Sequence, residues 1–302
     1  MLSMKVMVIG SSGKVGYALC QLLHEKAISV IAPARHEMDL THIETVLSCI
    51  QRTQPDIIVN AAVYNDPVGA ENEPSRCFHV NRDSIAVLAD TCHQQGIKLI
   101  QLSSYRVFDG QKQEPYAETD STNPKGVLAI SRCQAEQQIR DRCPQHIILR
   151  FSWIIGEYGN SMLTQLLDQI TLHHEITVTS DQVGCPTPAT DAARVIVAII
   201  QQMDCGAQVW GTYHYAASEF VSQNSFAEVV IAEASKYTPL KVRKLKMAKM
   251  DTLQGIKPPA NACLSCQSIL NTFGVHQRSW RKTVARIIKN YYEHHVMASK
   301  TQ

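Results

Sequence analysis

The feature that most constrains this chain is Gly10-Ser11-Ser12-Gly13-Lys14-Val15-Gly16, which stands directly after the apolar run Val6-Met7-Val8-Ile9. Behind it, Val15, Leu19, Leu22 and Leu23 fall on one helical face. A strand, a glycine loop and a helix in that order form a phosphate cradle. The glycines let the backbone turn tightly and let a pyrophosphate come close. The helix N-terminus offers unpaired N–H groups and a partial positive charge. Glycines spaced in this way are a weak signal by themselves, and the strand directly before them makes the loop a dinucleotide site. Gly10, Ser12, Gly13, Lys14, Val15 and Gly16 are its cofactor-binding residues.

The rest of the first half alternates. Residues 29–32, 56–59, 98–102 and 147–151 read as strands, and helical patterns fall between them. One helix runs through Val46, Leu47 and Ile50 with Asp39 or Thr41 as its cap. A long helix covers 74–95 and another 126–142. Alternating strands and helices imply a parallel sheet with right-handed crossovers, a doubly wound α/β fold of Rossmann type. Ligands in such sheets bind at the carboxyl ends of the strands, where Gly10, Asn60, Ser103-Ser104 and Ser152-Trp153 stand. The second strand ends at Pro33-Ala34-Arg35, with no acidic residue to hold ribose hydroxyls. Arg35 is placed to meet a 2′-phosphate, so NADP(H) is preferred and NAD(H) is the alternative.

Beyond Trp153 the pattern is mixed, with helices expected at 161–173, 191–203, 225–236 and 280–292 and strands at 176–179, 212–216 and 240–246. Residues 1–152 thus read as the cofactor domain. Residues 153–302 read as a smaller α/β substrate-binding lobe, with some of its chain crossing back to the first domain. The 302 residues are 45% hydrophobic, enough to bury a core, and 29 basic against 27 acidic residues give a net charge of +2. That balance points to neither nucleic acid nor an anionic membrane as a partner. The longest apolar stretch, near 195–200, is too short to span a bilayer, and residues 1–9 leave no room for an export signal. A cytoplasmic protein is expected, and a homodimer is compatible with the sequence. The ten cysteines read as reduced thiols; Cys263-Leu264-Ser265-Cys266 lacks the second pair that zinc needs, and no metal is expected.

With these residues in view, the chain resembles the extended short-chain dehydrogenase/reductases and, within them, the dTDP-4-dehydrorhamnose reductase family. The likeness runs nearly end to end. The 10–16 loop matches the family's cofactor loop, and Asp39-Leu40 its adenine-proximal segment. Asn60-Ala61-Ala62-Val63-Tyr64, Ala70-Glu71 and Glu73-Pro74 match the segment after the following strand. Val107-Phe108-Asp109-Gly110 and Pro115-Tyr116 match the approach to the catalytic helix. Trp153, in Arg150-Phe151-Ser152-Trp153, is the substrate-side tryptophan, while residues 181–187 and Pro259-Ala260-Asn261 match two sugar-nucleotide loops. The resemblance implies cofactor contacts from Asp39, Leu40, Ala61, Ala62 and Tyr64. It implies substrate contacts from Ser104, Trp153, Gln182, Pro186 and Asn261, with a nucleotide-linked 4-keto-6-deoxy sugar as ligand.

The catalytic helix departs from that pattern. The family reduces a keto sugar with a Tyr-x-x-x-Lys pair and a nearby Ser or Thr. Hydride adds to the carbonyl carbon, and tyrosine supplies the proton that the oxygen needs. Lysine, one helical turn on, lowers the tyrosine pKa and holds the nicotinamide ribose. In register with Asn123-Pro124 upstream and Ala135-Glu136 downstream, the tyrosine position is Leu128 and the lysine position Arg132. Leucine cannot give a proton. Arginine keeps the charge but differs in shape, and is the residue left to hold the ribose. Ser104 stands where the family has its hydroxyl, followed by Tyr105-Arg106 in place of Asp-Tyr. The expectation is a protein that binds NADP(H) and a sugar nucleotide and acts by binding or regulation, through a protein partner. The alternative is a working NADPH-dependent reductase with a substitute acid. Tyr105 is the nearest candidate, with Tyr64 or a water held by Ser104 behind it. The register places the nicotinamide beside Leu128 and Ser104; a Leu128 side chain turned into the core would count against it.

Overall fold

A computed structural model describes residues 4–157, 159–250 and 257–299. Strand β1 (Lys5–Ile9) is buried from its second residue onward, as a strand covered on both faces must be. It sits in a six-stranded parallel sheet with β2 (Ser29–Ile31), β3 (Ile57–Asn60), β4 (Lys98–Ser104), β5 (His146–Phe151) and an edge strand, Gly211–Tyr215. The order across the sheet is β2-β1-β3-β4-β5, then the edge strand. Side chains of successive residues leave opposite faces. Val6, Val8, Ile57, Val59, Ile147 and Leu149 therefore join one core, and Met7, Ile9, Ile58 and Ile148 the other. Helices α1 (Lys14–Glu25), α2 (Ile43–Thr53), α3 (Pro67–Asn72), α4 (Pro74–Phe78), α5 (Ser84–Gln95), α6 (Val127–Arg142), α7 (Met162–Leu172) and α8 (Ala189–Asp204) follow in the chain. The first core packs under α1 and α8, the second under α2, α5 and α6. This is the Rossmann-type α/β fold that the alternation of strands and helices predicts.

The chain runs from β1 outward to β2 and then returns to β3 on the other side of β1. The sheet therefore opens a crevice between the ends of β1 and β3, the place where doubly wound folds bind ligands. The second half returns as well: α8 packs along α1, and the strand after it completes the sheet beside β5. The remaining elements form a lobe around α7, α9 (Gln223–Ala234), α10 (Gln267–Phe273) and α11 (Arg281–Ser299), with Phe226 edge-on to the buried Trp280.

Three local expectations are corrected. The helix over 74–95 is interrupted: α4 runs into a π turn, His79–Asp83, before α5 begins. Neither Asp39 nor Thr41 caps α2. Its N-cap is His42, with no side-chain bond, and the Asp39 carboxylate is spent on the Thr41 N–H and hydroxyl at 2.9 and 2.8 Å. The basic strand begins at Lys244 rather than 240, and Lys244–Ala248 pairs in parallel with Glu175–Thr179.

Candidate functional site

At the crevice, Gly10 has φ +79°, and a Cβ there would lie 2.6 Å from the Ala62 nitrogen. The glycine is what lets the ends of β1 and β3 touch. A Cβ on Gly16 would overlap the Gly10 carbonyl, so α1 starts as close beneath the loop as a backbone allows. Gly13 is the N-cap of α1 and supplies no side-chain acceptor, so the first-turn N–H groups face outward. Ser12 and Gly13 are exposed, and Val15 packs its half-buried side chain on the first core. Ala61 N–H is held by the Ile9 carbonyl at 2.9 Å, and Ala62 N–H by the Asn60 side chain at 3.1 Å. Lys14 reaches away from the loop: its ammonium donates to the Asn160 carbonyl at 2.6 Å, and burial lowers its pKa. Past β2, Arg35 is 78% exposed and lies 3.7 Å from Asp39. Leu40 is buried in the second core.

Helix α6 carries Leu128 and Arg132, the two positions that the sequence reading singles out. Leu128 is buried among Ala70 and Cys77, with Tyr64 and Val127 at the rim. This is a small apolar cluster between α6 and α3–α4, separate from the two main cores. One helical turn on, Arg132 lines a cleft of about 10 Å³, the room of a single water, with Ala62, Val63, Asn81, Gln101, Ser103 and Glu136. Leu128 is not among the lining residues. Arg132 donates to the Asn65 side chain at 2.7 Å, while its buried Nε has no hydrogen-bond partner, alone in this among the buried side-chain polar atoms of the described residues. Burial, and then the like charge of Arg106, bring its pKa down to about 10. Ser104 accepts from the Arg106 N–H at 3.3 Å and starts the single 3₁₀ turn Tyr105–Val107. Tyr105 is buried beneath this turn, within electrostatic reach of Arg132. The Tyr64 hydroxyl is packed against Gly69 in α3.

Sequence reasoning missed what supports these residues. Asn81, on the π turn, accepts from the Tyr64 N–H at 2.8 Å and donates to the Tyr64 carbonyl and the Ser131 hydroxyl at 3.1 and 3.0 Å. It ties the loop after β3 to α6. Glu136, two turns beyond Leu128, is wholly buried. Its carboxylate accepts from Ser103 at 2.6 Å, from Arg150 at 2.9 and 2.5 Å and from Arg140 at 2.7 Å. Burial opposes its ionisation, but the hydrogen bonds and charge of Arg150, with Ser103 and Arg140, together outweigh it and hold the pKa below the ordinary value. Arg150 also donates to Nε2 of His214 at 3.2 Å; the His214 Nδ1 proton then goes to the Tyr116 carbonyl at 3.0 Å. Burial and the Arg150 charge push the His214 pKa down to about 3, so the imidazole is neutral. A glutamate at i+4 from Arg132 on a buried helix face was the available signal.

The second-half residues converge on one loop cluster. Trp153 has φ +24° and packs its ring on Gly184, where a Cβ would collide with it. The buried Gln182 donates to the Pro259 carbonyl at 3.4 Å, and Pro186 is buried next to Thr187, whose N–H bonds the Trp153 carbonyl at 2.9 Å. The Asn261 amide donates to the carbonyls of Lys112 and Glu114 at 2.7 and 2.9 Å, and its oxygen accepts from the Cys263 N–H. Both side-chain amides thus clamp loops together. A larger cavity, about 490 Å³, lies beside Phe220, Cys266 and His276 and contains none of the predicted site residues. Cys263 and Cys266 are buried free thiols with pKa values raised by burial to about 11 and about 12. Among the described residues, no helix is long and apolar enough to cross a membrane.

The pattern of the RmlD substrate binding domain family matches residues 4–293. The chain belongs to that family. It is 32% identical over 289 residues to dTDP-4-dehydrorhamnose reductase of Sinorhizobium fredii, covering 94% of this chain and 97% of the relative. The same enzyme of Aggregatibacter actinomycetemcomitans is also 32% identical over 289 residues, covering 94% and 98%. Among solved structures, dTDP-4-dehydrorhamnose reductase of Clostridium acetobutylicum superposes with a TM-score of 0.86 at 24% identity, over 95% of this chain and 99% of that one. The Bacillus anthracis enzyme, in complex with NADP, superposes with a TM-score of 0.85 at 24% identity, over 96% and 99%. Membership in the RmlD family thus rests on sequence along nearly the whole chain, and the shared fold on the superpositions.

Proposed function

We propose that this chain binds NADP(H) in the 10–16 loop and a nucleotide-linked sugar across the end of the sheet, and acts by binding or regulation with its reductase chemistry impaired or lost. The residues present fit a nicotinamide dinucleotide. The loop is a cradle that side chains would fill, and the unpartnered Nε of Arg132 is a buried donor waiting for an acceptor such as a ribose hydroxyl. Bound there, the nicotinamide supplies the hydride. The chain's own part would be to hold the carbonyl and to donate a proton to its oxygen. One observation carries the loss: Leu128, at the tyrosine position, lies in an apolar cluster with no proton to give. Loss of a general acid costs ~10²–10⁴-fold in rate.

One observation favours the second reading, a working reductase with a substitute acid. The Tyr105 phenol lies within electrostatic reach of Arg132, and its ring lies 5.7 Å from the Arg106 guanidinium carbon, a tyrosine beside cations. The deciding assay is NADPH oxidation with dTDP-4-dehydro-L-rhamnose by the native protein, by Leu128→Tyr/Arg132→Lys and by Tyr105→Phe. Binding without turnover in the native protein, with turnover in the double variant, is the expected outcome. Native turnover that Tyr105→Phe abolishes would replace the first reading with the second.

A further inference from the structure

One hydrogen bond joins α6 to the loop after β3. Nη2 of Arg132 donates to the side-chain oxygen of Asn65 at 2.7 Å, between residues 67 apart in the chain. The Asn65 end of that bond is fixed from both sides. Tyr64, before it, exchanges two hydrogen bonds with the Asn81 side chain, at 2.8 and 3.1 Å. Asp66, after it, caps α3 by accepting from the Val68 N–H at 3.1 Å. Asn65 is thus an exposed side chain on an anchored backbone. Arg132 comes from the second turn of α6. A guanidinium is planar and rigid, so an acceptor on one terminal nitrogen also settles where the other N–H groups point.

Nε of the same guanidinium is buried and, among the described residues, without a hydrogen-bond partner. Arg132 lines the cleft of about 10 Å³, and the other polar side chains on its wall are already bonded. Asn81 bonds to Tyr64 and Ser131, and Gln101 to Asn60 and the Leu102 carbonyl. Ser103 and Glu136 bond to each other. An oxygen entering the cleft therefore meets Nε–H as its donor. A space of that size takes one oxygen and not a sugar ring, so the entering group is a hydroxyl at the edge of a ligand. Strand order says which end of a dinucleotide supplies it. The glycine loop follows β1 and Arg35 follows β2, while the cleft lies at the ends of β3 and β4, on the opposite side of β1. A dinucleotide with its adenine half toward Arg35 has its nicotinamide half toward Arg132.

We infer that Asn65 is a positioning residue for the cofactor: it fixes the Arg132 guanidinium so that Nε–H donates to one hydroxyl of the nicotinamide-side ribose. This rests on the NADP(H) reading given above, which it deepens by naming the residue that aims the ribose contact. Asn65 acts through Arg132 and not on the cofactor itself. Its effect is one of preorganisation. A free arginine side chain must be ordered when the ligand binds, and one already held by Asn65 is ordered beforehand.

The test is calorimetric titration with NADPH and with 2′,5′-ADP, which has the adenosine half of the cofactor and lacks the nicotinamide-side ribose. The proteins are native, Asn65→Ala, Asn65→Asp, Arg132→Met and the double variant Asn65→Ala/Arg132→Met. Asn65→Ala should weaken NADPH about 5-fold, the cost of ordering one long side chain, and leave 2′,5′-ADP unchanged. Asn65→Asp, which still offers an acceptor, should retain NADPH affinity. In the Arg132→Met background, Asn65→Ala should weaken NADPH no further. Equal losses for the two ligands would make Asn65 a merely structural residue, and a loss that persists without Arg132 would mean a direct contact; either overturns the inference, as does an unchanged NADPH affinity in Asn65→Ala. A second measurement is the NMR resonance of the Arg132 Nε–H, assigned by its disappearance in Arg132→Lys. It should shift on addition of NADPH and stay in place with 2′,5′-ADP; a shift with both, or with neither, overturns the inference. If the native protein binds neither ligand, the NADP(H) reading falls and takes the inference with it. If both ligands bind and the Asn65 comparisons fail, the inference alone falls.

Discussion

The 10–16 loop and the α6 face beside Ser104 stand at the same end of one sheet, yet they are made differently. The loop is built from backbone: glycines at Gly10, Gly13 and Gly16, carbonyls and N–H groups, and almost no side-chain chemistry. The α6 face is built from side chains: Asn81 bonded to Ser131, Ser103 and Arg150 bonded to Glu136, and Arg132 lining the cleft beside them. A backbone cradle tolerates few substitutions, because any Cβ fills it. A side-chain site can exchange its reacting groups while its scaffold remains. The proposed function follows that division: it keeps the cradle and places the exchange in the side chains of α6.

The largest effect should come from the cradle. Gly16→Ala drives a methyl group into the Gly10 carbonyl with no flexible neighbour to yield. NADPH affinity should fall ~100-fold or more with a lower melting temperature, read by fluorescence titration and thermal unfolding. An unaltered affinity would mean that the cofactor does not use the loop.

A smaller effect separates the side-chain half. His214 is neutral in the fold, with a pKa near about 3 from burial and the Arg150 charge, against an unfolded value of about 6.5. The unfolded chain therefore takes up a proton that the folded chain refuses. Stability is full above pH 6.5 and declines as the pH falls toward 3. Between pH 7 and pH 5 this one group should cost about 2 kcal/mol in denaturant unfolding, and His214→Gln should remove that part of the slope. Equal slopes in the two proteins would show the imidazole to be uninvolved.

The smallest concerns the cradle's far end. Arg35 is largely exposed and its partner Asp39 is 3.7 Å away, so it is available to a 2′-phosphate. Arg35→Ala should weaken NADPH on the order of 10-fold while leaving NADH nearly unchanged. Equal losses for the two cofactors would remove the reason for preferring NADP(H).

The two regions also differed in how much of them could be read in advance. Val6 to Ile9, the glycines and the face of Leu19 and Leu23 are local patterns, and local patterns determine a strand, a turn and a helix; the loop and sheet were legible for that reason. The π turn was not, because it shifts hydrogen bonds from one carbonyl to the next without disturbing the run of residue types, and Asn81 went unnoticed with it. Glu136 and Arg150 were invisible as a pair, since 14 residues and two different elements separate them. Arg106 was read only as a departure from a pattern; the packing of its turn against α6 is a meeting of two elements that no spacing encodes. The Leu128 side chain is buried against α3 and α4, where Ala70 and Cys77 give it apolar neighbours that no local pattern announces.

The pairing of α8 with α1, and of the strand after it with β5, carries a consequence for how the chain comes into being. As synthesis proceeds, the cofactor helix emerges early, but the helix that covers its flank arrives more than 160 residues later. Until then Leu19, Leu23 and one face of β1, β3 and β5 have no lid. Nascent chains will thus expose a broad apolar face until about two thirds of the chain is made, which makes the first half dependent on residues 189–215 and a natural substrate for chaperones.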